Sequence, residues 1–589
     1  MNQYVGVIEH EDIIKAYSWY SFFFNSKVSV YGNHKKCSYK FLKRNILVKK
    51  DNIGKFHSKW YEIQKYMVCE STYLDKLAIE KNILLRLLCK VFKSNKVINF
   101  YKQYFSDIEY LVLRDKILSQ KESSNVCFLF PYLHSYKVLA NSYLKNNEYK
   151  FSIFLTLFFV IFGVKQFAGS IIKTILIKPV FVKKIKSKVL KRLAWKFGGN
   201  GLKDDMLIDE VSVTKKDFVY YSESFSSKKI EKELYNQAVE LGFNVVRIDN
   251  KFNINECYYD SFKNNFFYAA LALIPALFLS PYFLFGIKKF NSKSFAMYKL
   301  LSFVEVDKFW SVGNWHDIAE TVVLNNRNIR SFVYSWSDYA QSYLYPFIYT
   351  VQDDVFMWGP MENKYMIHKS LHENMYTIGC LFSNNFIEKD KEKIFKSLQL
   401  DSTKQLVVFY DSPVNNSMRF PQTLFDEFRE LILFIEKKYP NIQVVLKPKT
   451  VTDEYKDYYR DTSVKLLDAR DVYLGDIINI ATINVGMGIV APITISLIMK
   501  KIGIFFETAG NYDSPFTKYE GELVFRDQES LLKKIDHILK NNTYMPIQIG
   551  ELTNYNKADA NPIDILREYV ATGLVSEKYR LSNYMEKSL

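Results

Sequence analysis

The sequence predicts an α/β protein of two doubly wound, parallel-sheet lobes, with an N-terminal extension and apolar helices that associate with a membrane. Three observations carry this. Short β-type runs alternate with amphipathic helices from about residue 215 to 540. Such alternation needs crossover connections, and so parallel strands. A polar, charged stretch at 385–404, with Lys389, Lys391 and Lys393, divides the series in two. Two long apolar stretches break an otherwise globular pattern.

Residues 1–150 are the least informative: Tyr4–Ile8 and Val126–Phe130 read as strands and Leu77–Phe92 as a helix. In the first lobe, Phe218–Tyr221, the helix Lys228–Leu241 stopped by Gly242, and Phe243–Ile248 make a βαβ unit. Strands follow at Ser331–Ser335, Val355–Trp358 and Tyr376–Ile378, with helices at Asp317–Leu324 and Glu362–Ser370. In the second lobe, Gln405–Tyr410, Ile442–Leu446, Ala481–Val485, Ile502–Phe506 and Leu523–Phe525 read as strands. Pro421 suits the first position of a helix that carries Leu424, Phe428, Leu431, Ile432 and Ile435 on one face and ends before Pro440. Further helices are expected at Pro492–Lys500, Gln528–Lys540 and Ile563–Val570, the last packing back across the lobes. The organisation expected is 1–150 of unknown role, 151–200 apolar and basic, 201–390 a first Rossmann-like lobe with an apolar insertion at 264–290, 391–545 a second, and 546–589 a helical tail.

The chain has 589 residues, 48% of them hydrophobic and 24% charged, which excludes a mostly disordered chain. Its net charge of +17 favours anionic partners. Zinc-finger spacing and RNP-type aromatic motifs are lacking, so lipid or a phosphorylated substrate is preferred to nucleic acid. The six cysteines form no C-x-x-C pair and read as reduced core residues. Met1–His10 has no secretory pattern, which gives the expectation of a cytoplasmic location.

Phe151–Val164 and Phe167–Ile177 are apolar, and a basic run from Lys178 to Arg192 follows them. Phe266–Ile287 is an uncharged stretch of 22 residues ending at Lys288 and Lys289. Pro275 and Pro281 interrupt it, Lys165 splits the first stretch, and two spans would put Lys183–Arg192 on the translocated side. In-plane or shallow attachment to an anionic surface is therefore expected, on the cytoplasmic face of the inner membrane. Buried core helices are the competing reading.

Ligands of doubly wound sheets bind beyond the carboxyl ends of the strands. In the second lobe these ends hold Asp411-Ser412, Lys447-Pro448-Lys449, Gly486-Met487-Gly488 and Glu507 to Asn511. A glycine turn feeding a helix offers amide groups to an anion, and Lys447 and Lys449 add charge where phosphates would lie. Glu507 and Asn511 are placed for a ribose or base. The competing readings are a tight strand–helix connection, a solvated lysine pair and a helix cap. In the first lobe, His316, Asp317 and Asp338 are the candidate catalytic groups, with Asp338 as a strand-end general base and His316 and Asp317 alternatively capping a helix. His368 and His372 share helical spacing, but Lys369 replaces the metalloprotease glutamate and no third ligand is evident, so no metal is expected.

The run Ile483–Pro492, then Ile502–Glu507, Ser514-Pro515-Phe516 and Leu523–Phe525, resembles the C-terminal half of bacterial surface-polysaccharide biosynthesis proteins of the GT-B glycosyltransferase type. Val355–Gly359 with Tyr376–Gly379 is similar to the end of their first lobe. The resemblance covers about 215–540. It implies a GT-B-like fold, a nucleotide-sugar donor in the second lobe, an acceptor in the first, and no bound metal or other cofactor. The helix after the glycine turn reads Pro492-Ile-Thr-Ile-Ser496, where such enzymes often carry a glutamate, and Ser335-Trp-Ser-Asp338 replaces a His-Gly loop. The expected activity is a membrane-associated hexosyl- or 3-deoxy-sugar transfer to a lipid-linked or glycolipid acceptor in capsule or lipopolysaccharide synthesis. The alternatives are a polyol-phosphate transferase with a CDP-linked donor and a non-catalytic GT-B-fold scaffold.

Overall fold

The structure is a computed structural model. It describes residues 3–6, 13–31, 46–49, 73–77, 83, 86, 96–120, 127–162, 214–215, 217–221, 239, 242–248, 301, 304–312, 323–325, 327–334, 352–358, 374–380, 390–411, 422–448, 450–468, 472–509, 515–541 and 562–580.

Three main sheets organise these residues, and every strand pair in them is parallel. The first lies in the region whose sequence revealed least. Its strands are β1 (Gln3–Gly6), β2 (Lys27–Tyr31), β3 (Ile46–Lys49), β4 (Phe128–Pro131) and β5 (Tyr149–Ser152), in the order β3-β2-β1-β4-β5. The helices of this region include α1 (Ile13–Phe23), α2 (Tyr73–Leu77), α3 (Lys96–Gln120) and α4 (His134–Tyr143). The Tyr17 hydroxyl of α1 donates to Leu129 O at 2.9 Å, which ties the helix to β4.

A small parallel pair, β6 (Thr214–Lys215) with β9 (Val304–Glu305), is separate from the second sheet. That sheet comprises β7 (Phe218–Tyr221), β8 (Val245–Ile248), β10 (Lys308–Val312), β11 (Arg330–Tyr334), β12 (Asp354–Met357) and β13 (Asn374–Thr377), ordered β13-β12-β11-β10-β7-β8. The helices expected at Lys228–Leu241 and Glu362–Ser370 and the stretch Phe266–Ile287 lie outside the described residues, except Val239.

The polar link expected at 385–404 contains a helix, α5 (Lys391–Ser397). Asp390 caps it, accepting from Glu392 N at 3.1 Å. The third sheet follows: β14 (Gln405–Tyr410), β15 (Ile442–Leu446), β16 (Lys465–Leu466), β17 (Ile483–Met487), β18 (Gly503–Phe506) and β19 (Val524–Phe525), ordered β16-β15-β14-β17-β18-β19. Helix α6 (Gln422–Lys438) buries the expected apolar stripe, with Phe425 added. Phe428 sits edge-on to Phe409 at 5.7 Å and stacks on Phe506 at 6.2 Å. The remaining helices are α7 (Asp453–Tyr458), α8 (Leu474–Ile480), α9 (Ala491–Ile498) and α10 (Gln528–Lys540). Asp527 caps α10, accepting from Ser530 N at 2.8 Å.

The tail helix α11 (Pro562–Thr572) returns to the second sheet. Its Tyr569 ring meets Phe332 at 5.1 Å and Phe356 at 5.0 Å. The Tyr569 hydroxyl donates to the buried Asp354. Asp354 also accepts from Arg330 Nη2 at 2.8 Å and Asn374 Nδ2 at 2.9 Å. These three residues open β11, β12 and β13, so the tail closes on the amino end of the sheet and leaves the carboxyl end clear of these contacts.

Candidate functional site at the carboxyl edge of the third sheet

β14 lies between β15 and β17. The chain leaves β14 for β15 and β16 on one side and then returns to β17 on the other, so the carboxyl ends of β14 and β17 flank the switch point where doubly wound sheets take ligands. Each strand end presents a polar or special residue: Asp411 after β14, Lys447 after β15, Asp468 just past β16, Gly488 after β17 and Glu507 after β18.

Asp411, Lys447 and Asp468 form one electrostatic group, with Lys447 and Asp468 buried and Asp411 half-buried. Lys447 is 8% exposed, and its amide donates to Phe409 O at 2.8 Å, which fixes the strand end. Burial pulls the Lys447 ammonium down to about 8, although the Asp468 and Asp411 carboxylates favour its charged form. Burial likewise pushes Asp411 up to about 6, against the Tyr455 hydroxyl and the Arg429 and Lys447 charges. Tyr455 donates to Asp411 Oδ2. Asp411 Oδ1 is buried with no hydrogen-bond partner. Asp468 accepts from Val451 N at 2.9 Å and so shapes the loop that follows Lys447. Arg429 of α6 backs the group: its guanidinium lies 4.1 Å from the Phe425 ring centre and 4.7 Å from Tyr458, and it donates to Glu454 at 3.0 Å. In the sequence Asp411 is only a strand-end residue, with no site role expected for it. Its position one residue past a strand at the switch point was the available signal.

The glycines act differently from a simple anion-binding turn. Gly486 is part of β17, paired with Tyr410 and Phe505, and is not in the turn. A Cβ there would lie 2.5 Å from Ile493 Cγ1 and 2.6 Å from Val490 Cγ2, so this glycine lets α9 pack close against the strand. Gly488 has φ +64°, which a side chain disfavours. Its N–H donates to Phe506 O at 2.6 Å and is committed to the fold. At the start of α9 Val490 supplies no side-chain cap, Pro492 has no N–H, and Ile493 N donates to Val490 O at 3.1 Å, so the helix end would meet an anion mainly through its dipole.

Glu507 is fully buried and held by its neighbours. It pairs with Arg526, and its Oε1 accepts from Ala509 N at 3.0 Å. Arg526 also donates to Glu507 O at 3.1 Å, which ties the end of β18 to that of β19. The carboxylate as placed is a structural tie. Lys449, Asn511, His316, Asp317, Asp338, His368 and His372 lie outside the described residues. Among the described residues, no group of three or more His, Cys, Asp or Glu is placed to hold a metal ion.

The strand-end arrangement can do two things. Lys447 at the end of β15 and the start of α9 after β17, with β14 between those strands, each offer positive charge to an anion, and Asp411 can take and return a proton near neutral pH.

No protein-family model matches the chain, and no curated protein matches it. Several solved structures are similar to it. A UDP-GlcNAc 2-epimerase from Methanocaldococcus jannaschii, in complex with UDP-GlcNAc and UDP, is 12% identical over 60% of this chain and 100% of its own, with a TM-score of 0.37. A UDP-forming trehalose-phosphate synthase from Burkholderia xenovorans is 10% identical over 63% and 97%, with a TM-score of 0.32. A variant of the wall teichoic acid polymerase TagF is 10% identical over 70% and 99%, with a TM-score of 0.40. Likeness at this level carries no argument, so the functional reading rests on the chain's own geometry.

Proposed function

We propose that the chain is a membrane-associated GT-B-type transferase that moves a sugar from a nucleotide-linked donor to a lipid-linked or glycolipid acceptor in cell-surface glycan synthesis. The observation that carries this reading is the Asp411–Lys447–Asp468 group, which runs from Asp411 at the switch point along the carboxyl edge to β15 and β16 in a parallel sheet ordered β16-β15-β14-β17-β18-β19. A nucleotide phosphate there would meet Lys447 and the positive end of α9. Phosphate oxygens beside the desolvated ammonium would favour its charged form. The second and third sheets give such a reaction two faces, one for the acceptor and one for the donor. Asp338, His316 and Asp317 remain the proposed acceptor-side groups, and Lys449 and Asn511 proposed donor contacts.

The test is release of free nucleotide from CMP-, CDP-, UDP- and GDP-linked sugars and from CDP-linked polyols. Turnover of one donor that rises with a lipid-linked acceptor supports the reading. If none is turned over and none is bound, the chain is a scaffold, the second reading, which the acid-free helix Ala491–Ile498 favours. Release from the CDP-linked polyols alone would instead assign phosphoryl transfer.

A further inference from the structure

We propose that an aromatic face on the N-terminal sheet domain is the surface that docks on an anionic lipid bilayer. Two segments form it: the end of α1 with Phe24, and the helical residues 153–162. They pack in opposite directions, Phe24 against Phe154 at 5.0 Å, Phe23 against Phe158 at 5.8 Å, and Trp19 against Phe162 at 6.2 Å. The inner sides are anchored, with Tyr17, Leu155 and Phe159 fully buried. The outer sides are exposed. Phe22 is 50% exposed, Phe23 57%, Phe154 55% and Leu157 51%. Contiguous exposed apolar surface of this kind marks an interaction site.

The chemistry around the face selects the occupant. Trp and Phe on a rigid helical pair are suited to the headgroup and acyl boundary. At the margin, Tyr132 donates its N–H to Thr156 and carries the Lys137 ammonium 3.7 Å above its ring centre. The chain that leaves residue 162 carries Lys165, Lys173, Lys178, Lys183, Lys184 and Lys186 among its basic residues and has no acidic residue before Asp204. An apolar face running into a purely basic segment is complementary to a surface that is apolar inside and negative outside. Among the described residues, no helix is long and apolar enough to cross a membrane, which fits docking in the plane. This specifies the membrane part of the function proposed above, and it assigns to α1 a share that the apolar stretches alone did not suggest.

The test uses the full chain and vesicles of phosphatidylcholine, alone or mixed with phosphatidylglycerol. Wild type should sediment with the mixed vesicles, and less so in high salt. Phe22→Ser/Phe23→Ser and Phe154→Ser/Leu157→Ser should each lower the partition by about tenfold or more, with unfolding temperature and nucleotide binding unchanged. In wild type, vesicles should also slow amide hydrogen exchange in 16–24 and 153–162, a readout that needs no variant. Failure of wild type to bind the mixed vesicles, wild-type partition in both variants, or a dimer that both variants dissociate would each overturn the proposal. Vesicle binding and nucleotide binding are measured separately, so either reading can fail alone.

Discussion

Asp411 and Lys447 are both held away from their ordinary protonation behaviour by burial, and the direction of each shift fixes a pH effect. The folded pKa of Asp411 is raised, to about 6 from 3.8. The folded state therefore binds the proton more readily, and its stability falls as pH rises from about 4 to 6. Asp411→Asn should lose that part of the profile, as urea unfolding across this window would show. The folded pKa of Lys447 is lowered, to about 8 from 10.5. Between those values the unfolded chain binds more protons, so this group makes stability rise with pH. A bound phosphate favours the ammonium, so nucleotide affinity should decline above about pH 8, and Lys447→Met should show no such decline. A flat affinity profile from pH 7 to 9 in wild type would remove Lys447 from the site.

At the scale of the element, the β17–α9 unit shows what was legible in the sequence. A strand, a glycine pair and a helix starting near Pro492 were all readable, because Gly and Pro punctuate strongly. The roles of the two glycines were not readable, because they depend on contacts from other elements. Gly486 is needed where Val490 and Ile493 press on the strand, and Gly488 where the chain turns with positive φ. Gly486→Ala should cost about 1–3 kcal/mol by overpacking. Gly488→Val should cost at least about 1–2 kcal/mol for the left-handed backbone, so lost binding in that variant must be read beside its unfolding curve. The N-terminal sheet was the larger omission. Tyr4–Ile8 and Val126–Phe130 pointed to two of its strands; β3 and β5 are four residues long and weakly patterned, whereas β2 alternates and runs into Gly32-Asn33 and was legible as a short strand. Their pairing is non-local, which local periodicity cannot register. The polar link at 385–404 hid α5 for a related reason, since only Ile394 of that helix is buried.

At the scale of the molecule, the tail links the end of the chain to the second sheet. Sequence periodicity gave α11 its position, and the structure adds what it grips: Tyr569 between Phe332 and Phe356, with its hydroxyl on Asp354. Tyr569→Ala should cost about 3–5 kcal/mol, the usual range for emptying a buried aromatic site, seen as a lower urea midpoint. Tyr569→Phe should cost less, because Arg330 and Asn374 still serve Asp354. The central claim is that the carboxyl edge of the third sheet receives a nucleotide through Lys447. Calorimetry with CMP, UDP and GDP on wild type and Lys447→Met tests it most directly. The account predicts that one nucleotide binds wild type and that the variant binds it more weakly by about 1.5–3 kcal/mol, the worth of a hydrogen bond to a charged group. Equal binding of that nucleotide by a folded Lys447→Met variant would contradict it.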